Sequence, residues 1–230
     1  MSSDATDAPS KAPTQPVKPR ARRPGPPDGP RAKNREARRT ELEAAALGLF
    51  LARGLDAVAI EDIAEAAAMS KSNLYRYFET REAVVEAVIA PIRLGFEAAF
   101  ARCLEATQTA ESGAPMTAVY LTLAVELFQT VSRHEAQMRL FLQEGRGPEV
   151  GARAPLRRLE RDLLTHAVTL TKAAQARGLL RRIAPEVSAW VVVGAVERLL
   201  LAWLRDGAFA SPADVIEPLV RLVMEGLGQP

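Results

Sequence analysis

A cluster of polar side chains between residues 70 and 78 is the part of the sequence best equipped to bind a polyanion. It brings cations, an amide, hydroxyls and phenols into one short segment, namely Lys71, Ser72, Asn73, Tyr75, Arg76 and Tyr77. Side chains of these types donate hydrogen bonds to phosphate oxygens and to the edges of bases. The chemistry predicted for this segment is therefore recognition of a nucleic acid, not a covalent step.

Apolar residues in the same segment separate a buried side from the polar one. Leu74 and Phe78 are four residues apart, so they fall on one side of a helix. Tyr77 is adjacent to Phe78 and cannot share that side, so at least one of the two rings points outwards. A buried aromatic stripe is the alternative interpretation of Tyr75, Tyr77 and Phe78, and the neighbouring cations favour contact with DNA.

Three helical segments are predicted to hold this polar side in place. Apolar residues at helical spacing mark the first, from Asn34 to a stop at Gly54, and they are Leu42, Ala45, Ala46, Leu49 and Phe50. The second runs from Ile60 to Ala67, with a tight break at Ala68 and Met69. Ser70 is then a candidate N-cap for a third segment, Lys71 to Phe78. Two short helices joined by a sharp turn form a helix-turn-helix pattern.

Helical patterns continue to the end of the chain. Thr80 is a candidate cap for a long helix from Arg81 towards Ala106, in which Pro91 should cause a bend. Further helices are predicted near 115–132, 135–146, 152–177, 186–206 and 212–227, and no convincing strand alternation is found. The predicted fold class is all-α, with a helix-turn-helix domain at 34–80 joined to a helical bundle at 81–230.

Charge is concentrated at the start of the chain. The net charge is only +2, yet residues 1–39 hold ten Lys and Arg against four Asp and Glu, and eight of the sixteen prolines precede residue 31. We expect residues 1–33 to be a disordered basic arm, which either touches DNA or only solubilises the chain. The single cysteine allows no disulfide within the chain, and we expect a cytoplasmic protein with no signal peptide and no membrane partner.

The run IEDIAEAAAMSKSNLYRYFETREAVVEAVI at 60–89 resembles the N-terminal signature of the TetR family of transcriptional regulators. The matching positions are Ser70, Lys71, Leu74, Tyr75, Tyr77, Phe78 and Arg81, and the upstream run AALGLFLARGLDAVAIEDIA is also similar. The resemblance covers residues 35–89. Two positions depart from the family pattern, since Ala68 stands where glycine is common in the turn, and Ala59 stands where threonine is common.

The resemblance implies roles for individual residues on double-stranded DNA. Lys71, Ser72, Asn73 and Tyr75 would face base edges in the major groove, with Arg76 beside them, and Tyr77 and Arg81 would hold phosphates. Arg38 and Arg39 in the first helix would approach the DNA backbone. Leu74 and Phe78 would belong to the core.

The C-terminal helices are predicted to form a dimer. Residues 189–204 are apolar almost all round, which indicates burial on both sides, and the last helix carries an apolar stripe. The resemblance likewise implies dimerisation through the last two long helices, and a monomeric core helix is the alternative. The predicted interface comprises Trp190, Val193, Gly194, Glu197, Leu201, Leu219, Leu222 and Val223.

The middle helices should enclose a ligand pocket, as the resemblance implies. Its predicted lining is Phe96, Phe100, Cys103, Met116, Tyr120, Leu123, Leu127, Met138, Phe141 and Leu142, with Glu144, His134 and His166 as polar anchors. Ordinary core packing is the alternative for most of these residues.

The function expected from the whole sequence is a ligand-responsive transcription regulator. It would be a repressor that binds a palindromic operator as a dimer and is released by an unknown small-molecule effector. We find no nucleophile–base pair, phosphate-binding glycine loop or metal-ligand spacing, so we expect no enzyme activity, cofactor or metal. The alternatives are a helical carrier or enzyme with an incidental helix-turn-helix, and an architectural DNA binder that uses its basic arm.

Overall fold

The computed structural model describes residues 29–111, 116–209 and 213–227. Across those ranges the regular elements are all helical, which confirms the predicted fold class. The nine α-helices found there are α1 (Pro30–Arg53), α2 (Ile60–Ala66), α3 (Lys71–Leu74), α4 (Arg81–Thr109), α5 (Thr117–Arg133), α6 (Glu135–Glu144), α7 (Ala154–Ala176), α8 (Pro185–Asp206) and α9 (Ala213–Leu227). One turn of 3-10 helix, Gly151–Arg153, precedes α7.

Two compact units are distinguished along the chain, Met1–Ala37 and Arg38–Pro230. In the described part of the first unit, α1 begins at Pro30, four residues before the predicted start at Asn34. Proline suits the first position of a helix, because its missing N–H would have no partner there. Residues 30–33 of the predicted disordered arm are therefore helical, and the prediction for residues 1–28 lies outside the described residues.

Side chains cap two of the helices as predicted from the sequence. The Ser70 hydroxyl accepts a hydrogen bond from the Asn73 N–H at 3.3 Å, and the Thr80 hydroxyl accepts one from the Ala83 N–H at 3.1 Å. Ala59 has no oxygen with which to cap α2. Its own N–H instead donates to the Asp62 carboxylate at 2.7 Å, so only one of the two hydrogen bonds of a capping box is present.

The turn between α2 and α3 is a Schellman motif with alanine in the left-handed position. Ala68 has a φ of +50°, the only positive φ of a non-glycine residue in the described ranges. Its N–H donates to the Glu65 carbonyl at 2.9 Å, and the Met69 N–H donates to the Ala64 carbonyl at 2.8 Å. The sequence predicted this turn and its strain, and the left-handed conformation costs an alanine about 1 kcal/mol.

Helix α3 is shorter than predicted. Its regular part ends at Leu74, whereas the sequence predicted a helix to Phe78. The N–H groups of Tyr77 and Phe78 both donate to the Leu74 carbonyl, at 2.8 and 3.1 Å. Such sharing of one acceptor tightens the last turn of a helix into 3-10 geometry. The tight turn still carries Phe78 back into the core beneath Leu74.

One hydrophobic cluster runs from α1, α2 and α3 into α4, α6 and α7. The predicted core residues Leu42, Phe50, Ile63, Leu74 and Phe78 are all buried in it. Helix α4 is the element common to both ends, since it also packs against α5 and α7. Helix α4 therefore contributes side chains both to the core of the helix-turn-helix and to that of the body.

Helix α4 continues through Pro91 as one element of 29 residues. Gly95 lies one turn further on, against α5. A Cβ at Gly95 would come within 2.4 Å of the Thr130 methyl carbon, so glycine permits the close approach of the two helices.

Helix α8 is long and apolar enough, by length and composition alone, to cross a bilayer, with a mean hydropathy of 1.7 over its most apolar window. The sequence prediction of no spanning segment considered only the shorter apolar run at 189–196. One helix of this kind is weak evidence for a membrane protein. Here α8 packs against α7 and α6, so part of its apolar surface belongs to the body of the protein.

Candidate functional site

The polar side of the helix-turn-helix is exposed where the sequence predicted it. Lys71, Ser72, Tyr75 and Arg76 are exposed, whereas Leu74 has no exposed surface. Phe78 is also buried, and Asn73 and Tyr77 are half-buried at the edge of the polar side. The predicted separation of core and polar residues is confirmed, and contact of the polar residues with DNA stays a prediction.

Lys71 is held by two neighbours on this surface. Its ammonium group forms an ion pair with Glu61 in the first turn of α2 and lies 5.9 Å from the centre of the Tyr75 ring. The hydrogen bond from Lys71 lowers the pKa of the Glu61 carboxyl, which stays ionised at neutral pH. Sequence analysis did not link Glu61 to Lys71, because no helical spacing relates residues in α2 to residues in α3.

Two arginines of α1 flank residues 71–78, the recognition segment. Arg38 forms an ion pair with Glu41, and the Arg39 Nε donates to Glu43 at 2.9 Å. The guanidinium carbon of Arg39 lies 5.3 Å from the centre of the Phe78 ring. Arg39 is thus positioned beside the end of the recognition segment, and both arginines remain exposed.

Arg81 is engaged within the protein. Its Nη1 donates to the Val58 carbonyl at 2.9 Å, and the side chain is partly buried. Val58 lies in the link between α1 and α2. The bond fastens that link to the first residue of α4, a role different from the phosphate contact predicted for Arg81.

A bridge of three side chains joins the helix-turn-helix to α6. Arg153 donates through Nη1 to Asp56 at 2.6 Å and through Nη2 to Glu144 at 2.8 Å. Asp56 lies in the link between α1 and α2, and Glu144 ends α6. The hydrogen bond to Asp56 is the main reason why the pKa of Arg153 is raised. Glu144, predicted as a ligand anchor, belongs to this bridge instead.

A cavity of about 220 Å³ lies among helices α4 to α9. Of the predicted lining, Phe96, Phe100, Tyr120, Leu123, Leu127, Met138 and Phe141 face the cavity. Cys103, Met116, Leu142, Glu144, His134 and His166 are not part of its lining. His166 lies behind it and stacks on Phe100, with the ring centres 5.1 Å apart.

Cys103 is buried near the cavity without lining it. Burial raises the pKa of its thiol to about 11. The thiol therefore remains protonated at neutral pH, in the form that reacts slowly with oxidants.

The cavity also contains residues that sequence analysis had not assigned to it. They come from α7, α8 and α9 and include Leu163, Leu170, Thr171, Val192, Val196, Leu200, Trp203, Val215 and Ile216. Val193, Glu197 and Leu219, predicted at the dimer interface, line the cavity as well. Because α8 is apolar almost all round, its periodicity could not indicate which side faces inwards.

Four polar side chains interrupt the apolar lining, namely Tyr120, Thr171, Ser188 and Glu197. The Thr171 hydroxyl donates to the Ala167 carbonyl at 2.9 Å. Burial raises the pKa of Tyr120, and burial followed by repulsion from Glu160 raises the pKa of Glu197. Within the ranges that the structure describes, no three acidic, histidine or cysteine side chains come together as a metal site.

An apolar patch remains on the outer side of α8 and α9. Val187, Trp190 and Val191 in α8 are each more than 60% exposed, and Leu222 in α9 is 70% exposed. Gly194 continues the patch along α8, with nothing within 4 Å of a Cβ placed there. Leu201 and Val223, also predicted at the interface, are half-buried.

Residues 42–88 match the family model of the bacterial regulatory proteins of the tetR family. The HTH-type transcriptional repressor KstR2 of Rhodococcus jostii is 38% identical over 64 residues. That match covers 28% of this chain and 31% of the relative, so the chain spans less than a third of the relative's length.

Solved structures share the fold over most of the chain. NalD, the secondary repressor of the MexAB-OprM multidrug efflux pump in Pseudomonas aeruginosa, has a TM-score of 0.66 at 20% identity, over 86% of this chain and 98% of that one. The fatty acid degradation regulator FadR from Bacillus halodurans has a TM-score of 0.64 at 13% identity, over 81% and 98%. The ketosteroid regulator KstR2 of Mycobacterium tuberculosis has a TM-score of 0.60 at 19% identity, over 84% and 96%.

Proposed function

We propose that this chain is a transcriptional repressor of the tetR family of bacterial regulatory proteins, which binds a palindromic operator as a dimer and releases it when a small molecule fills the cavity. Proteins of this family are transcription regulators and not enzymes. The site of action of this chain would accordingly be the cytoplasm, where its operator is found.

The observation that carries the proposal is the exposed polar side of residues 71–78. It presents Lys71, Ser72, Tyr75 and Arg76 to solvent while Leu74 and Phe78 fix the segment to the core. A segment held in this way can enter the major groove, where amide, hydroxyl and ammonium groups distinguish base pairs. Arg39 would then meet a phosphate beside the groove.

The apolar patch on α8 and α9 supports a second copy of this chain as partner. Val187, Trp190 and Val191 are spaced by one turn of α8 and are exposed in the single chain, as is Leu222 in α9, and exposed apolar patches are typical of interfaces. A two-fold axis through the patch would form a four-helix contact from α8 and α9. It would also place two recognition segments on half-sites about 34 Å apart or more.

Two connections would carry the state of the cavity to the DNA-binding surface. Phe96 and Phe100 place α4 against the cavity, and the same helix begins at Arg81, which holds the α1–α2 link through Val58. Met138 and Phe141 place α6 against the cavity, and Glu144 at the end of α6 holds the same link through Arg153 and Asp56. An effector that favours a different position of either helix would favour the state that does not bind DNA.

The proposal is tested by measuring binding of the purified chain to the DNA upstream of its own gene. Fluorescence anisotropy should give salt-dependent binding to one palindromic segment, at least about a thousandfold tighter than binding to a scrambled duplex. Equal affinity for the two duplexes would contradict sequence-specific regulation and would favour an architectural role. Catalytic turnover without DNA binding would favour the carrier or enzyme alternative.

A further inference from the structure

We propose that the cavity binds an apolar cation, a hydrophobic amine or ammonium compound, whose charged nitrogen pairs with the carboxylate of Glu197. The inference rests on the proposed function only in taking the cavity as the effector site. It identifies the chemical class of the effector.

The charge of the cavity lining is the first reason. Among the described residues that line the cavity, Glu197 is the only one with a formal charge at neutral pH. The remaining polar groups are the hydroxyls of Tyr120, Thr171 and Ser188, and every other lining residue is apolar. A ligand that enters this cavity therefore meets one fixed negative charge and no positive one.

Glu197 is only partly balanced by the protein itself. Its side chain is 19% exposed, and its nearest cation is the Nη2 of Arg146 at 3.8 Å, on a side chain that is 75% exposed. Arg157 also acts on Glu197 electrostatically, yet it is engaged by Glu160 and by the Gly145 carbonyl at 3.1 Å. Burial outweighs these attractions and raises the pKa of Glu197. A partly buried carboxylate with incomplete pairing is stabilised in its charged form by a cation placed beside it.

The aromatic lining is the second reason. Six aromatic rings line the same cavity, from Phe96, Phe100, Tyr120, Phe128, Phe141 and Trp203. The faces of aromatic rings carry partial negative charge, and they attract ammonium groups as well as apolar chains. The rings therefore favour a cation over a neutral ligand of the same size, and Glu197 has the same preference.

The same lining disfavours anionic ligands. A carboxylate or phosphate in this cavity would lose its hydration without gaining a cation, and it would be repelled by Glu197. The volume of about 220 Å³ suits a small ligand, since roughly 150 Å³ is enough for benzene. A medium-length alkyl chain with a cationic end satisfies both conditions.

The test compares three probes with the same alkyl chain, namely decylammonium, decanol and decanoate, each titrated below its micellar concentration into the full-length protein. Isothermal titration calorimetry should give a Kd for decylammonium roughly tenfold or more below that for decanoate, with decanol between them. In the variant Glu197→Gln, decylammonium should lose roughly tenfold in affinity, while decanol is unchanged. Glu186→Gln, on the same helix but outside the cavity, is the matched control and should bind all three probes as the wild type does.

Two outcomes would overturn the inference. One is a decanoate affinity equal to or above that of decylammonium, which needs only the wild-type chain and is independent of how the variants fold. The other is decylammonium binding that is unchanged in a folded Glu197→Gln protein. Operator binding is measured separately by anisotropy, so that charge-selective binding by a chain that ignores DNA would sink the proposed function and leave the ligand class standing. Operator binding without charge selectivity would contradict the ligand class and leave the proposed function standing.

Discussion

The ammonium group of Lys71 would approach DNA, but in the free protein it is paired with the Glu61 carboxylate. Replacing it by alanine removes one cation and leaves Glu61 without a partner on the same surface. We expect Lys71→Ala to weaken operator binding by roughly tenfold and to lower the salt slope by about 1. Anisotropy titrations at several salt concentrations measure both quantities.

The control for Lys71 is another exposed lysine with an acidic partner. Lys172 pairs with Glu186 at 3.1 Å, far along the chain from the recognition segment. Lys172→Ala should leave operator affinity and salt slope unchanged. An equal loss in both variants would mean that Lys71 acts only through the net charge of the protein.

Leu74, three residues further along α3, should respond in a different way. It is fully buried in the core cluster, so that Leu74→Ala leaves a cavity there. The expected loss is about 2–5 kcal/mol of unfolding free energy, measured by urea denaturation. Lys71→Ala should show no such loss, and equal destabilisation of the two variants would contradict the assignment of their faces.

Glu61 is expected to restrain DNA affinity. Its ionised carboxylate lies beside the recognition segment and holds Lys71 in the free protein. Glu61→Gln removes one negative charge from the surface and releases the lysine, so we expect tighter binding to operator and scrambled duplex alike, by a factor of about 3–10. Competition anisotropy with the two duplexes measures it, and Glu186→Gln is the control. Weaker operator binding in Glu61→Gln would instead show that the carboxylate itself accepts a bond from a base.

At the scale of helices, the sequence could predict what local chemistry decides. The caps at Ser70 and Thr80 need only a hydroxyl at the right spacing, and the tight turn at Ala68 and Met69 needs only the break in apolar periodicity around it. The burial of Leu74 and Phe78 followed from their spacing by one helical turn. These features depend on contacts within a few residues, so the sequence itself contains the information.

Features that depend on how distant helices pack were not accessible in the same way. Glu197 follows a long apolar run in α8, and nothing in that run indicates that its carboxylate faces the cavity and not a partner. Arg81 matched a motif position for phosphate contact, yet the carbonyl of Val58 lies close enough to accept its hydrogen bond. The Arg153 bridge joins residues almost one hundred positions apart. In each case the deciding partner is brought close only by the tertiary fold.

The Arg153 bridge makes a prediction about coupling between elements. Asp56 is largely exposed, so Asp56→Asn should change the unfolding free energy by less than about 1 kcal/mol. Coupling between two sites is reciprocal, and operator binding to the wild type should therefore slow amide exchange in α6. In Asp56→Asn, operator binding should slow exchange in α6 several-fold less, while operator affinity stays within about twofold. Hydrogen–deuterium exchange with and without operator measures the difference.

The control for this bridge is an ion pair inside the body. Arg102 on α4 donates through Nε and Nη2 to the Glu126 carboxylate on α5, at 2.9 to 3.1 Å. Neither residue belongs to the helix-turn-helix. Glu126→Gln should retain the operator-induced protection of α6. If Asp56→Asn also retains it, α4 alone carries the coupling.

At the scale of the whole molecule, the proposed regulation requires a contact between two chains. The exposed Val191 lies at the middle of the apolar patch on α8, between Val187 and Gly194. A two-fold axis brings the same substitution into the interface twice, so Val191→Lys places two cations in one apolar contact. We expect a folded monomer at micromolar concentration by analytical ultracentrifugation, whereas the wild type sediments as a dimer.

Loss of the dimer should carry over to DNA, because each recognition segment reads only one half-site. Val191→Lys should bind the palindromic operator at least about a hundredfold more weakly than the wild type, yet bind a single half-site with unchanged affinity. Val150→Lys is the matched control, since Val150 is similarly exposed but lies in the link before α7, away from the patch. A Val191→Lys protein that remains dimeric would place the interface elsewhere on the surface. A monomer that keeps full operator affinity would mean that one recognition segment suffices, and the two-fold relation between the chains would then have no part in reading DNA.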